Sequence, residues 1–167
     1  KITRSTIRTN PVPYYGIVGN NVGYIVISTF AIENCSKDIK KALIELKQQG
    51  AKSIVLDLRG NGGGLLGEAV NVVNFFVPKG KEIVVTKGKI KQAGTTYKTM
   101  NEPVDTEIPL AVLVDGSTAS ASEIVSGSLQ DLDRAIVVGS RTYGKGLVQV
   151  PRELPYNSSM KVTTRSE

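Results

Sequence analysis

Residues Lys52–Gly80 read KSIVLDLRGNGGGLLGEAVNVVNFFVPKG, and the patterning changes twice within them. KSIVLDL is a continuous apolar run, as in a strand covered on both faces. GNGGG interrupts it, and LLGEAVNVVNFFV resumes at helical spacing until Pro78 closes it. A buried strand that passes through glycines into a helix is the first part of a strand–helix–strand unit. The same grammar recurs downstream. PLAVLVD is a second buried strand, SASEIVSGSLQDL is helical, AIVVG is a strand, and LVQV follows another glycine-containing loop. Upstream, YGIVGNNVGYIVIS reads as two short strands around a Gly-Asn-Asn turn. SKDIKKALIELKQQG aligns Ile39, Ala42, Leu43 and Leu46 on one helical face and stops at Gly50. EIVVT and TTYKT add two strand candidates. This alternation predicts an α/β domain with a mainly parallel central sheet flanked by helices.

Composition narrows the chemistry. A chain of 167 residues is long enough for one domain with a real core. The net charge of +6 comes from dispersed lysines, and no basic–aromatic stripe accompanies them, which argues against a nucleic-acid partner. The single Cys35 precludes an internal disulfide and a multi-cysteine metal site. No apolar run reaches membrane-spanning length, and no signal peptide is present. A chain that opens on Lys1 and closes on VTTRSE, inside a strand pattern, is expected to be a piece of a longer one. Histidine is absent altogether. That removes a Ser-His-Asp triad and the usual zinc sites, and leaves proton transfer near neutral pH to a carboxylate, a lysine, a tyrosine or the cysteine.

In parallel sheets, functional groups gather beyond the C-terminal ends of the strands. Three loops qualify: DLRGNGGG, VDGSTASASE and GSRTYGKG. Gly62, Gly64 and Gly67, with Glu82 downstream, fit a dinucleotide fingerprint, but DLRGN stands between strand and first glycine. Gly139, Gly144 and Lys145 fit a phosphate loop, yet Gly146 stands where a magnesium-binding Ser or Thr is needed. The glycine run can instead turn backbone N–H groups toward an anion. Ser120, three residues before Glu123, matches a capping box, so it can be simply a helix cap. A serine at a helix N-terminus is equally suited to nucleophilic attack, because the free N–H groups there, Ala121's among them, favour a developing oxyanion. Without histidine, a neutral lysine can activate it. Lys145 is flanked by Gly144 and Gly146, and the carbonyl of Gln149 could orient its amine without adding a counter-charge. Burial would have to bring the lysine down from its free value of about 10.4.

STASASEIVSGSLQDLDRAIVVGSRTYGKGLVQ resembles the catalytic segment of the tail-specific, or carboxyl-terminal processing, proteases, and IVLDLRGNGGGLLGEAVNVVNFFVPKG resembles the glycine-rich segment that precedes it. The resemblance runs from about Gly23 to Val162. It implies a crotonase-like α/β fold, shared with Clp-type proteases, and a serine endopeptidase with a Ser-Lys dyad. By position, Ser120 is the implied nucleophile, Lys145 the general base and Gln149 its orienting partner. Backbone N–H groups of Gly63, or next Gly64, and of Ala121 form the implied oxyanion hole. Asp131 falls on a recurrent acidic position, read as supporting. No metal or organic cofactor is implied. The implied substrates are proteins or peptides with exposed C-terminal tails, in an extracytoplasmic bacterial setting, with a regulatory partner or self-association as further expectations. Residues 1–10 are expected to be the exit of a PDZ-like domain or a linker, and 11–167 a peptidase core that continues past its last residue. The competing expectation is a non-catalytic ligand- or peptide-binding module on the same fold.

Overall fold

The structure, a computed structural model, describes residues 9–88, 94–156 and 158–166. Most of the expected exit segment at the N-terminus therefore lies outside the described residues. The central sheet has five strands in the order β1-β2-β3-β6-β7. β1 (Tyr14–Val18) and β2 (Val22–Val26) form the expected antiparallel hairpin. From β2 onward the sheet is parallel through β3 (Ser53–Asp57), β6 (Leu110–Val114) and β7 (Ile136–Gly139). This is the mainly parallel α/β architecture expected.

Helix α1 (Cys35–Gln48) buries Ile39, Ala42, Leu43 and Leu46, the apolar face read from its spacing. Its N-cap, Asn34, supplies no capping side chain; Glu68 of α2 (Leu66–Asn74) does this from outside. The Glu68 carboxylate accepts N–H bonds from Asn34 (3.0 Å) and Ser36 (2.7 Å). An anion at a helix N-terminus satisfies otherwise orphaned donors and meets the positive end of the dipole. Burial pushes this carboxyl up, but the bonds from Ser36 and Asn34 outweigh it and hold it below its ordinary value.

Two antiparallel ribbons stand apart from the sheet. β4 (Glu82–Thr86) pairs with β5 (Thr95–Lys98), and β8 (Leu147–Leu154) pairs with β9 (Ser158–Ser166). The end of β9 reaches β4's extension through a bridge between Lys87 and Ser166. β8 runs well beyond the expected LVQV, because its partner strand supplies ladder bonds along its whole length.

At the N-terminal end of β6, Asp105 organises the turn into the strand. Its Oδ1 accepts from Glu107 and Ile108 N–H, each at 2.8 Å, and its Oδ2 pairs with the Lys47 ammonium. Burial alone would raise this carboxyl, yet Lys47 and the two N–H groups bring it down to about 2. A carboxyl held below its unfolded value adds stability that is complete above the ordinary carboxylate range and is lost as pH falls through the folded value. Asp105→Asn should therefore lower the melting temperature at pH 5 and above. The gap to wild type should close on acidification toward about pH 2, as thermal unfolding across that range would read.

Candidate active site

Because β3, β6 and β7 are adjacent and parallel, the loops leaving their C-terminal ends are neighbours. The first starts from a fixed root. Arg59 grips Asp57 through Nε (3.0 Å) and Nη2 (2.7 Å), and the Tyr24 hydroxyl donates to the same carboxylate. Burial pushes the Asp57 carboxyl up; Arg59 and Tyr24 reverse this and keep it low. Three bonds then join the first loop to the second. Gly60 N–H donates to Asp115 Oδ1 (3.0 Å), the Thr118 hydroxyl to Leu58 carbonyl (2.9 Å), and Ala119 N–H to Asn61 carbonyl (3.1 Å).

Within this frame the glycine run crosses the start of helix α3 (Ala121–Asp131). Gly63 has φ +94°, and a Cβ there would lie 2.6 Å from Ala119 carbonyl oxygen, 2.9 Å from Ala121 N and 3.0 Å from Ser120 Cβ. Only a residue without a side chain can pass so near. Gly64 is equally constrained from the other side, since a Cβ would meet the Phe30–Ala31 peptide at 2.1 Å. Gly63's N–H donates to Asn61 Oδ1 (2.9 Å), so the first-named oxyanion donor is already engaged. Among the described residues no hydrogen bond takes the Gly64 or Ala121 N–H.

Ser120 adopts φ 54°, ψ −121°, a region that side-chain-bearing residues avoid. Its N–H donates to Glu123 Oε2 (2.8 Å), while Glu123 N–H finds the Ser120 carbonyl (2.7 Å). The two residues thus form the capping box that the sequence pattern predicts, and Ser120 caps α3 as well as standing in this strained turn. Glu123 has a second task. It accepts from the Thr142 hydroxyl (2.7 Å), Gly144 N–H (2.7 Å) and Lys145 N–H (2.9 Å), clipping the third loop to the first turn of α3. Burial pushes Glu123 up, but these four donors outweigh it and hold the carboxyl below its usual value. It stays ionised, and the clip intact, through the neutral range.

Lys145 is half-buried, and its ammonium donates to Gln149 Oε1 at 3.5 Å. Among the described residues no hydrogen bond joins Ser120 Oγ to Lys145 Nζ. Gln149 is exposed, and its Nε2 donates to Thr163 of β9 (3.4 Å). Asp131 lies exposed at the far end of α3. A groove of about 400 Å³ beside that helix is lined by apolar Ile83, Val84 and Ile124 and by polar Ser128, Asp131 and Lys145. Cys35 is no competitor as nucleophile: burial and then the Glu68 charge push its thiol up to about 12. The nucleotide readings fail on context. The Lys145 loop enters a strand rather than a helix, and Glu82 opens a ribbon outside the sheet.

Sequence reasoning named Ser120, Lys145, Gln149, Gly63, Gly64 and Ala121. It did not single out Asp57, Arg59, Asn61 or Asp115, and it saw Glu123 only as a cap. Asp57 alone carried a signal, as the one charge within an apolar strand.

The peptidase family S41 model matches residues 21–166, and the chain belongs to that family. A carboxyl-terminal-processing protease of Picosynechococcus sp. is 42% identical over 167 residues, covering 98% of this chain and 39% of that protein. The solved photosystem II D1 C-terminal processing protease superposes with TM-score 0.80 at 34% identity, over 98% of this chain and 45% of its own. An S41 protease of Bacteroides fragilis shares the fold, with TM-score 0.80 at 21% identity. The chain thus spans less than half the length of these relatives.

Two outcomes test this geometry. Glu123→Gln keeps one acceptor oxygen but turns the other into a donor, a loss worth about 2 kcal/mol for a charged acceptor. Turnover should fall by about tenfold or more, and the melting temperature should drop. Ser120→Gly should raise the melting temperature above that of Ser120→Ala, because glycine accepts φ 54° without the ~1–3 kcal/mol strain.

Proposed function

We propose that this chain is the catalytic core of a serine endopeptidase in which Ser120 attacks a peptide carbonyl and Lys145 carries the proton. The observation behind this reading is that one carboxylate, Glu123, binds both the strained Ser120 N–H and the Lys145 N–H. A surface lysine in a glycine turn and an ordinary helix cap have no reason to share an acceptor.

The chemistry is acyl transfer in two steps. Neutral Lys145 takes the Ser120 proton as Oγ bonds to the carbonyl carbon, and the oxygen becomes an anion. Ala121 N–H and an N–H of the glycine run stabilise it, each worth about 3 kcal/mol. The lysine then gives the proton to the leaving amine, and the acyl-enzyme is hydrolysed by a water that Lys145 deprotonates. Half-burial leaves the lysine partly wet. A substrate laid along the groove beside α3 would exclude that water. Gln149, already bonded to the ammonium, orients it without adding a charge that would stabilise the protonated form.

Membership of the peptidase family supports protein substrates. The proposal extends to substrates with exposed C-terminal tails, captured by a PDZ-type domain ahead of residue 11, to an extracytoplasmic setting, and to a regulatory partner or self-association that controls access.

The test is cleavage of a disordered protein with an apolar C-terminal tail by the longer gene product. Ser120→Ala and Lys145→Arg should both lose turnover while keeping their melting temperature within a few degrees, because arginine cannot act as a neutral base. Normal rates in the arginine variant would refute proton transfer by Lys145.

A further inference from the structure

Asn61 is fully enclosed, yet it makes hydrogen bonds in four directions. Its Nδ2 donates to Ile27 carbonyl beyond β2 (2.8 Å), and its Oδ1 accepts from Gly63 N–H (2.9 Å). Its own N–H donates to Leu58 carbonyl (3.1 Å), and its carbonyl accepts from Ala119 N–H (3.1 Å), next to Ser120. One buried residue thus spans the sheet, the glycine run and the nucleophile turn. A side-chain amide offers a donor and an acceptor here without carrying a charge.

The bond to Gly63 has a consequence for its neighbour. Gly63 carbonyl accepts from Phe30 N–H (2.9 Å) and Leu65 N–H donates to Phe30 carbonyl (2.8 Å), one rung of a parallel ladder with Gly64 opposite Phe30. In such a rung the peptide groups of the opposing residue point away from the partner strand. Gly64 N–H therefore faces away from Phe30, and among the described residues nothing accepts it. Gly63, with both polar groups engaged, contributes shape: its missing Cβ keeps open the space 2.9 Å from Ala121 N.

We propose that Asn61 is the positioning residue of the oxyanion site, locking Gly63 in place so that Gly64 N–H and Ala121 N–H form the donor pair over Ser120. This rests on the serine-peptidase reading above.

The test uses the longer gene product with Asn61→Ala, Asn61→Asp and Ser120→Ala. Three quantities are compared: turnover of a disordered protein, affinity for a peptidyl boronate, and affinity for the matching unreactive peptide amide. Asn61→Ala should lose about 100-fold in kcat. Its KM and peptide-amide affinity should stay within about threefold, while boronate affinity falls in step with kcat/KM, as expected when transition-state binding alone is damaged. The ratio of Asn61→Asp to wild-type turnover, each read at the same pH, should rise as the pH is lowered, because the protonated carboxyl again offers one donor and one acceptor. That comparison also decides the matter if Asn61→Ala does not fold. In spectra of isotope-labelled glycine amides, boronate should move the Gly64 proton downfield and leave Gly63 in place. Unchanged kcat in Asn61→Ala, equal loss of boronate and amide binding, no acid recovery in Asn61→Asp, or a shift at Gly63 instead would each overturn the assignment. Turnover surviving in Ser120→Ala would instead remove the peptidase reading on which it stands.

Discussion

The geometry of the site depends on one carboxylate. Glu123 receives hydrogen bonds from Ser120 N–H, Gly144 N–H, Lys145 N–H and the Thr142 hydroxyl. The first belongs to a residue in a strained conformation; the others belong to a loop with no regular structure of its own. An ionised acceptor is suited to both tasks. Charge-assisted bonds are the stronger kind, and the first turn of a helix is where a negative charge is most welcome. With four donors on two oxygens the acceptor capacity of the carboxylate is fully used. Strain at Ser120 and placement of Lys145 are thereby coupled, and neither could be altered without disturbing the other.

The parallel sheet makes this coupling possible by bringing the three loops to one edge. Thr118 and Ala119 are tied to Leu58 and Asn61, and Tyr143 N–H returns to the Thr118 carbonyl (3.0 Å). The nucleophile turn is thus the middle member of a hydrogen-bonded stack, with the glycine run on one side and the lysine loop on the other. Buried backbone groups must find partners, and here they find them in adjacent loops rather than in water. Segments far apart in the chain, carrying Ser120, Lys145 and the glycine run, are thereby tied to one another. Among the described residues, the N–H groups of Gly64 and Ala121 are exceptions in this stack, with no acceptor.

Much of the architecture was legible before any coordinates. The apolar run at 53–57, the amphipathic face of α1 and the Gly-Asn-Asn turn announce their elements, because burial on a strand and on a helix leaves different periodicities. The two ribbons were harder to read. β4 and β5 are strands as their residues suggest but pair only with each other, outside the central sheet, and β8 extends well past its apolar start, since ladder pairing does not require apolar side chains. The pairing of β8 with β9 also slips in register between Val148 and Gln149, a feature that alternation alone does not reveal.

For the site, the sequence by itself determined the chemistry available. The absence of histidine, a serine before a helix, a lysine between glycines and a glycine run after a buried strand are local facts, and each limits what the neighbouring backbone can do. Only the tertiary structure decided which of these groups are held, and by what. That Glu123 serves the lysine loop as well as its own helix, that Asn61 takes the Gly63 N–H, and that Asp57, Arg59 and Tyr24 anchor the root of the first loop all depend on contacts between segments far apart in the chain. A hydrogen bond needs its two atoms within about 3 Å and aligned, and spacing along the sequence carries no information about that until the sheet has fixed where each loop begins.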